Sequence, residues 1–140
     1  MLIVLDTSVL VALLLSRGHN NTREIILLAR NKKIRLAASK ETIRELKRVF
    51  SFDSIKKLPG YKSHLVASFI AWYQYNVEYF AINSDISFVA IRDVSDSIFL
   101  KLAVVSHAQY IISGDQDLLV IKHIQKTNII TVAEFIHLLE

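Results

Sequence analysis

The sequence predicts an α/β fold with a parallel sheet, and three observations carry that reading. Short apolar runs alternate with amphipathic stretches of ten or so residues, as in βαβ units. The apolar runs are continuous rather than alternating, as expected of strands covered on both faces. Glycine and proline are scarce, three and one in 140 residues, so most of the chain belongs to regular elements. No linker, repeat or low-complexity stretch interrupts it, and its length suits one domain with a real core.

Taken in order, Leu2–Leu5 is the first strand, and a buried helix follows from about Ser8 to Leu15. Residues 21–31 form an amphipathic helix, with Ile25, Ile26 and Leu28 apolar and Arg23, Glu24 and Arg30 polar. Ile34–Ala38 is the second strand. Ser39 caps the next helix, whose apolar stripe is Ile43, Leu46, Val49 and Phe50. Residues 51–61 read as a turn region closed by Pro59-Gly60. A long helix spans 63–77, with Leu65, Phe69, Trp72 and Tyr73 at helical spacing, and Tyr79–Ile82 reads as a strand. The aromatic stretch Trp72-Tyr73-Gln74-Tyr75, with Tyr79 and Phe80, fits packing better than base stacking, since Phe69, Trp72, Tyr73 and Asn76 share one helical face. A helix then covers about 96–107, a strand Gln109–Ser113, and a last strand Asn128–Thr131. Thr131 caps a closing helix over Val132–Leu139.

Composition excludes several classes. A hydrophobic share of 52% and a charged share of 21% exclude a disordered chain. The absence of cysteine excludes disulfides and thiolate metal sites and suits a reducing cytoplasm. The opening MLIVLDTSVLVALLL lacks a preceding cation and holds Asp6, which argues against a signal peptide, and it is too short to span a membrane. The net charge of +4 is unevenly spread. Residues 1–62 carry a net +8, including Arg30, Lys32, Lys33, Arg35, Lys40, Arg44, Lys47, Arg48, Lys56, Lys57 and Lys62, whereas residues 63–140 carry −4. Such a basic half attracts polyanions at long range, although a solvated face explains it equally well when taken alone.

The carboxylates suggest a site. Asp6 directly follows the first strand, and Asp115 follows the strand Gln109–Ser113 after one glycine. In open α/β sheets, ligands bind outside the carboxyl ends of the strands, so these two acids should meet there. Asp93 and Asp96 open a helix whose N-terminus should lie on the same edge. Glu45, with Glu41 four residues earlier on the same face, belongs to the helix leaving that edge. Gathered carboxylates repel one another, and a hard divalent cation such as Mg²⁺ or Mn²⁺ relieves this and serves phosphodiester cleavage. The five histidines, at 19, 64, 107, 123 and 137, show no ligand spacing. Each acid also has an ordinary structural reading. Asp6 and Asp96 can cap helices, Asp115 and Asp117 can serve a turn, and Glu45 can pair with Arg48.

At these residues the sequence resembles the PIN-domain family of metal-dependent nucleases. Leu2-Ile-Val-Leu-Asp-Thr-Ser-Val-Leu-Val resembles the opening strand with its Asp-Thr-Asn signature. Ser39-Lys-Glu-Thr-Ile-Arg-Glu-Leu-Lys-Arg-Val resembles the helix with the family's acidic Glu, here Glu45. Arg92-Asp-Val-Ser-Asp-Ser-Ile-Phe-Leu resembles the segment with paired aspartates, here Asp93 and Asp96, and Tyr110-Ile-Ile-Ser-Gly-Asp-Gln-Asp-Leu-Leu the final strand and acidic turn. The closing Ile129-Ile-Thr-Val-Ala-Glu-Phe is similar to the family's last strand and helix.

The resemblance implies a three-layer α/β/α fold with a mostly parallel sheet. It implies cleavage of single-stranded RNA with Mg²⁺ or Mn²⁺, and a small antitoxin partner if the chain is a toxin of a type II toxin–antitoxin pair. Asp6, Glu45, Asp96 and Asp115 would hold the metal, with Thr7, Ser8, Asp93 and Asp117 supporting. Ser8 departs from the usual Asn of the signature, and Ser97 falls where some branches place the third aspartate. The apolar content also allows a homodimer or higher oligomer. Two other readings were weighed. One is a catalytically degenerate PIN fold that binds RNA or protein. The other, a phosphatase built on a strand-end Asp, lacks the required second Asp because position 8 is Ser8.

Overall fold

The computed structural model describes residues 1–15, 21–82 and 94–140, and at 21–22 and 94–97 the backbone alone. Its strands are β1 (Leu2–Leu5), β2 (Arg35–Ala38), β3 (Glu78–Tyr79), β4 (Tyr110–Ile112), β5 (His123–Ile124) and β6 (Thr127–Ile130). They form one sheet in the order β3-β2-β1-β4-β6-β5, parallel except for the β5–β6 hairpin. Val4 lies opposite both Ala37 and Ile111, so β1 is the central rail.

The apolar β1 run is buried throughout because helices cover both faces. Ile3 and Leu5 pack into one layer with α1 (Thr7–Leu15), α2 (Asn21–Arg30), α3 (Lys40–Phe50), α5 (Ser63–Asn76) and α8 (Val132–Leu139). Leu2 and Val4 face the other layer, where Phe99, Leu100, Leu102 and Ala103 of α6 (Val94–Ser106) meet Ile111 and Ile129. The result is the three-layer α/β/α arrangement expected of consecutive βαβ units. Within α3, Ile43, Leu46 and Phe50 are buried, at about 1.5–3 kcal/mol each. Ser39 caps it with a full capping box, its Oγ accepting from Thr42 N at 3.1 Å while Thr42 Oγ1 accepts from Ser39 N at 2.9 Å. Thr131 and Glu134 do the same for α8.

Several expectations are corrected. Residues 51–61 hold a short helix, α4 (Asp53–Lys56), which starts at Phe52 without a side-chain cap and so leaves no sequence signal. In α5, Leu65 is exposed and Val66 is the buried residue, one step of 100° around the helix. β3 is Glu78–Tyr79 rather than Tyr79–Ile82, because only Ala37 and Ala38 offer it partners. Helix α6 begins at Val94, so Asp96 is its third residue and not a cap. A four-residue helix, α7 (Gln116–Leu119), and strand β5 were not foreseen. The β5–β6 turn runs through Gln125 at φ 50, without the glycine or asparagine that announces such turns.

Candidate active site at the carboxyl edge of the sheet

The parallel strands end on one edge, and four of them hand a polar residue to it. β1 delivers Asp6, β2 delivers Ser39, β4 delivers Ser113 and β6 delivers Thr131. The backbone ties them together: Asp6 N donates to Ile112 O at 3.1 Å, and Ser113 N donates to Ile130 O at 3.0 Å.

Asp6 is the hub of this edge, buried at 3% exposure. Its Oδ1 accepts from Ser8 Oγ at 2.5 Å and from Val9 N at 3.2 Å, and its Oδ2 accepts from Ser113 Oγ. Ser113 Oγ in turn accepts from Asp115 N at 2.9 Å, and Ser8 Oγ accepts from Gly114 N at 3.2 Å. The Asp6 carboxylate is thus linked through Ser113 to the backbone of Asp115, whose own carboxylate turns to Asp117 N. Burial pushes the Asp6 carboxyl above its usual range, and the donors Ser113, Ser8 and Val9 pull against that shift without cancelling it.

The remaining sequence-derived residues fall as follows. Thr7 opens α1 with its Oγ1 buried and without a partner. Asp115 caps α7, accepting from Asp117 N at 3.0 Å, and Asp117 is exposed. Glu45 sits in α3, gripped at both oxygens by Arg48 at 2.8 and 2.9 Å, so its ordinary pairing is realised here. Asp93 lies outside the described residues. Of Asp96, only its place in the first turn of α6 is described.

Two residues escaped the sequence reading. Ser113 reads in sequence as the end of an apolar strand, and a lone serine after Tyr110-Ile-Ile at a ligand-binding edge is its only signal. Glu41 was noted beside Glu45 but given no role. Its Oε2 is buried without a partner, which is costly unless something unaccounted for faces it. Chemically this donor set is all oxygen, of the kind that Mg²⁺ and Mn²⁺ prefer, and two of its atoms are orphaned. Among the described residues, no three of His, Asp and Glu stand close enough to hold an ion by themselves.

Comparison with known proteins defines the class. The PIN domain family profile matches residues 2–117, which is most of the chain, and the protein belongs to that family. Among solved structures, it is similar to VapBC2 from Rickettsia felis bound to a DNA fragment from their promoter. The two share 17% sequence identity at a TM-score of 0.63, over 94% of this chain and 98% of that one, a likeness of fold. No curated protein sequence matches. Among the described residues, no helix is long and apolar enough to cross a membrane.

Proposed function

We propose that this chain is a metal-dependent endoribonuclease that cleaves single-stranded RNA, the toxin of a type II toxin–antitoxin system, working in the cytoplasm as one PIN-like nuclease domain over residues 1–140. One observation carries the reading: the buried Asp6 carboxylate and the backbone N–H of Asp115, more than a hundred residues apart in sequence, meet on the hydroxyl of Ser113, which puts both acidic residues at the ligand-binding edge. The resemblance supplies the rest of the acid set, Glu45 and Asp96, with Thr7, Ser8, Asp93 and Asp117 in support.

In this reading Asp6, Glu45, Asp96 and Asp115 hold Mg²⁺ or Mn²⁺, and the chemistry a bound ion supplies there is water activation and stabilisation of charge on the phosphodiester. The protein's own part is positioning. Ser8 and Ser113 fix both Asp6 oxygens, and Val9 N anchors one of them to the start of α1. Burial raises the Asp6 carboxyl, so proton and ion compete for it and affinity for the ion should fall as pH falls. The proposed partner is a small antitoxin covering the acidic edge, in line with the paired composition of the Rickettsia felis complex.

A second reading, a catalytically silent PIN fold that binds RNA or protein, draws on the Glu45–Arg48 pair, which neutralises one of the expected acids. Incubating the purified protein with labelled single-stranded RNA and Mg²⁺, Mn²⁺ or EDTA separates them. The nuclease reading expects cutting that needs metal and disappears in Asp6→Asn. Cutting that persists in EDTA, or no cutting of any RNA tested, overturns it. Expression without the partner should arrest growth if the chain is a toxin, and harmless expression of an active enzyme removes that part of the proposal.

A further inference from the structure

Helix α3 carries two stripes of opposite character. Glu41, Glu45 and Arg48 occupy one, and Lys40, Arg44 and Lys47 the next, one residue or 100° around the helix. The basic stripe lines a groove of about 530 Å³ together with Ile43, Gln74 and Tyr79. Lys40, Arg44 and Lys47 are all exposed, and among the described residues none has an ion-pair partner.

Tyr79 gives this groove a second feature. It pairs in register with Ala38, the residue before the Ser39 cap, and so stands at the carboxyl edge two strands from Asp6, roughly 10 Å away at the spacing of neighbouring strands. The residue is 53% exposed, yet its hydroxyl donates to Gln74 O at 3.0 Å, which holds the ring in place before any ligand arrives. A solvated helix face explains three cations, but it does not explain an anchored, exposed aromatic ring beside them at the acidic edge.

We infer that this groove seats single-stranded RNA leading from the acidic edge, with Lys40, Arg44 and Lys47 on successive phosphates and Tyr79 stacked on a base. The charge selects a polyanion, and the ring selects unpaired bases, whose faces are free. The identity of the nucleic acid rests on the nuclease reading, whereas the groove as a binding site does not. The three cations span about 10 Å along α3, enough for a short stretch of backbone.

Fluorescence anisotropy with a labelled single-stranded RNA in EDTA tests binding without cleavage. The triple variant Lys40→Ala/Arg44→Ala/Lys47→Ala should flatten the slope of log affinity against log salt by about 2, at about 0.7 per phosphate contact. Tyr79→Ala should weaken binding roughly 5- to 150-fold, and Tyr79→Phe, which keeps the ring, should restore it. Lys126→Ala, before β6 at the opposite edge of the sheet, should leave the slope unchanged. Circular dichroism melts confirm that each variant is folded. An unchanged slope in a folded triple variant, or duplex DNA bound more tightly than RNA with no effect of Tyr79→Ala, overturns the inference. If the wild type never cuts RNA but these variants lose binding, the groove stands and the nuclease reading falls. If it cuts and the variants bind and cut as before, the groove falls alone.

Discussion

Removing one hydroxyl, in Ser113→Ala, should loosen the whole acidic edge. Ser113 is fully buried and its Oγ makes two bonds, one to the Asp6 carboxylate and one from Asp115 N. A bond to a charged acceptor contributes about 1.5–3 kcal/mol and a neutral one about 1 kcal/mol. Together they amount to about 3 kcal/mol, and at this chain length each kcal/mol moves Tm by roughly 3 °C. Calorimetry at pH 7 should therefore find Tm lowered by about 9 °C. Ser8→Ala also removes two bonds, to Asp6 and from Gly114 N, but at an exposed residue and with Asp6 keeping Val9 N, so its shift should be smaller. A Ser113→Ala shift under about 2 °C, or a larger one for Ser8→Ala, would refute the view that Ser113 joins the two strand ends.

Other perturbations give equally direct readings. Asp6→Asn should raise Tm at pH 7, because burial makes the charged carboxyl unfavourable. The sign follows from linkage. A carboxyl raised in the folded state lends stability that is full below its ordinary value of 3.8 and is lost as pH rises through the folded value. The advantage of the variant should therefore shrink on acidification, and a constant difference between pH 3.5 and 7 would show that Asp6 is not strained by burial. Gly60→Ala should destabilise by about 1–3 kcal/mol, since a Cβ there would lie 2.5 Å from Leu15 O at the end of α1; urea melts with an unchanged midpoint would contradict this. Ser39→Ala removes the α3 cap and should cost about 0.5–2 kcal/mol by the same assay, with no loss if the capping box contributes nothing.

The legible parts of this protein were those with local causes. The β1 run, the Ser39 and Thr131 capping boxes and the buried faces of α3 all follow from neighbouring residues, and their positions agree with the sequence reading to within one or two residues. The placing of Asp6 and the backbone of Asp115 on one edge was also legible, because a parallel sheet puts every strand's carboxyl end on the same side. Features set by tertiary context were not. Leu65 and Val66 are equally apolar, and only packing decides which one turns inward. The hairpin at Gln125 carries no turn signature. Ser113 gains its importance from Asp6, 107 residues away in sequence, and its only local sign is a lone serine ending an apolar strand. Tyr79 was grouped with the packing aromatics of α5, yet Tyr73 is buried and Tyr79 is not, because β3 stops at the sheet margin.

The central claim is that acids from separate strand ends form one site for a divalent ion. Isothermal calorimetry of Mn²⁺ into the wild-type protein, Asp6→Asn and Asp115→Asn tests it without reference to any RNA. The account predicts binding by the wild type that is lost in both variants. Equal Mn²⁺ binding by all three proteins, or none by the wild type, would contradict it.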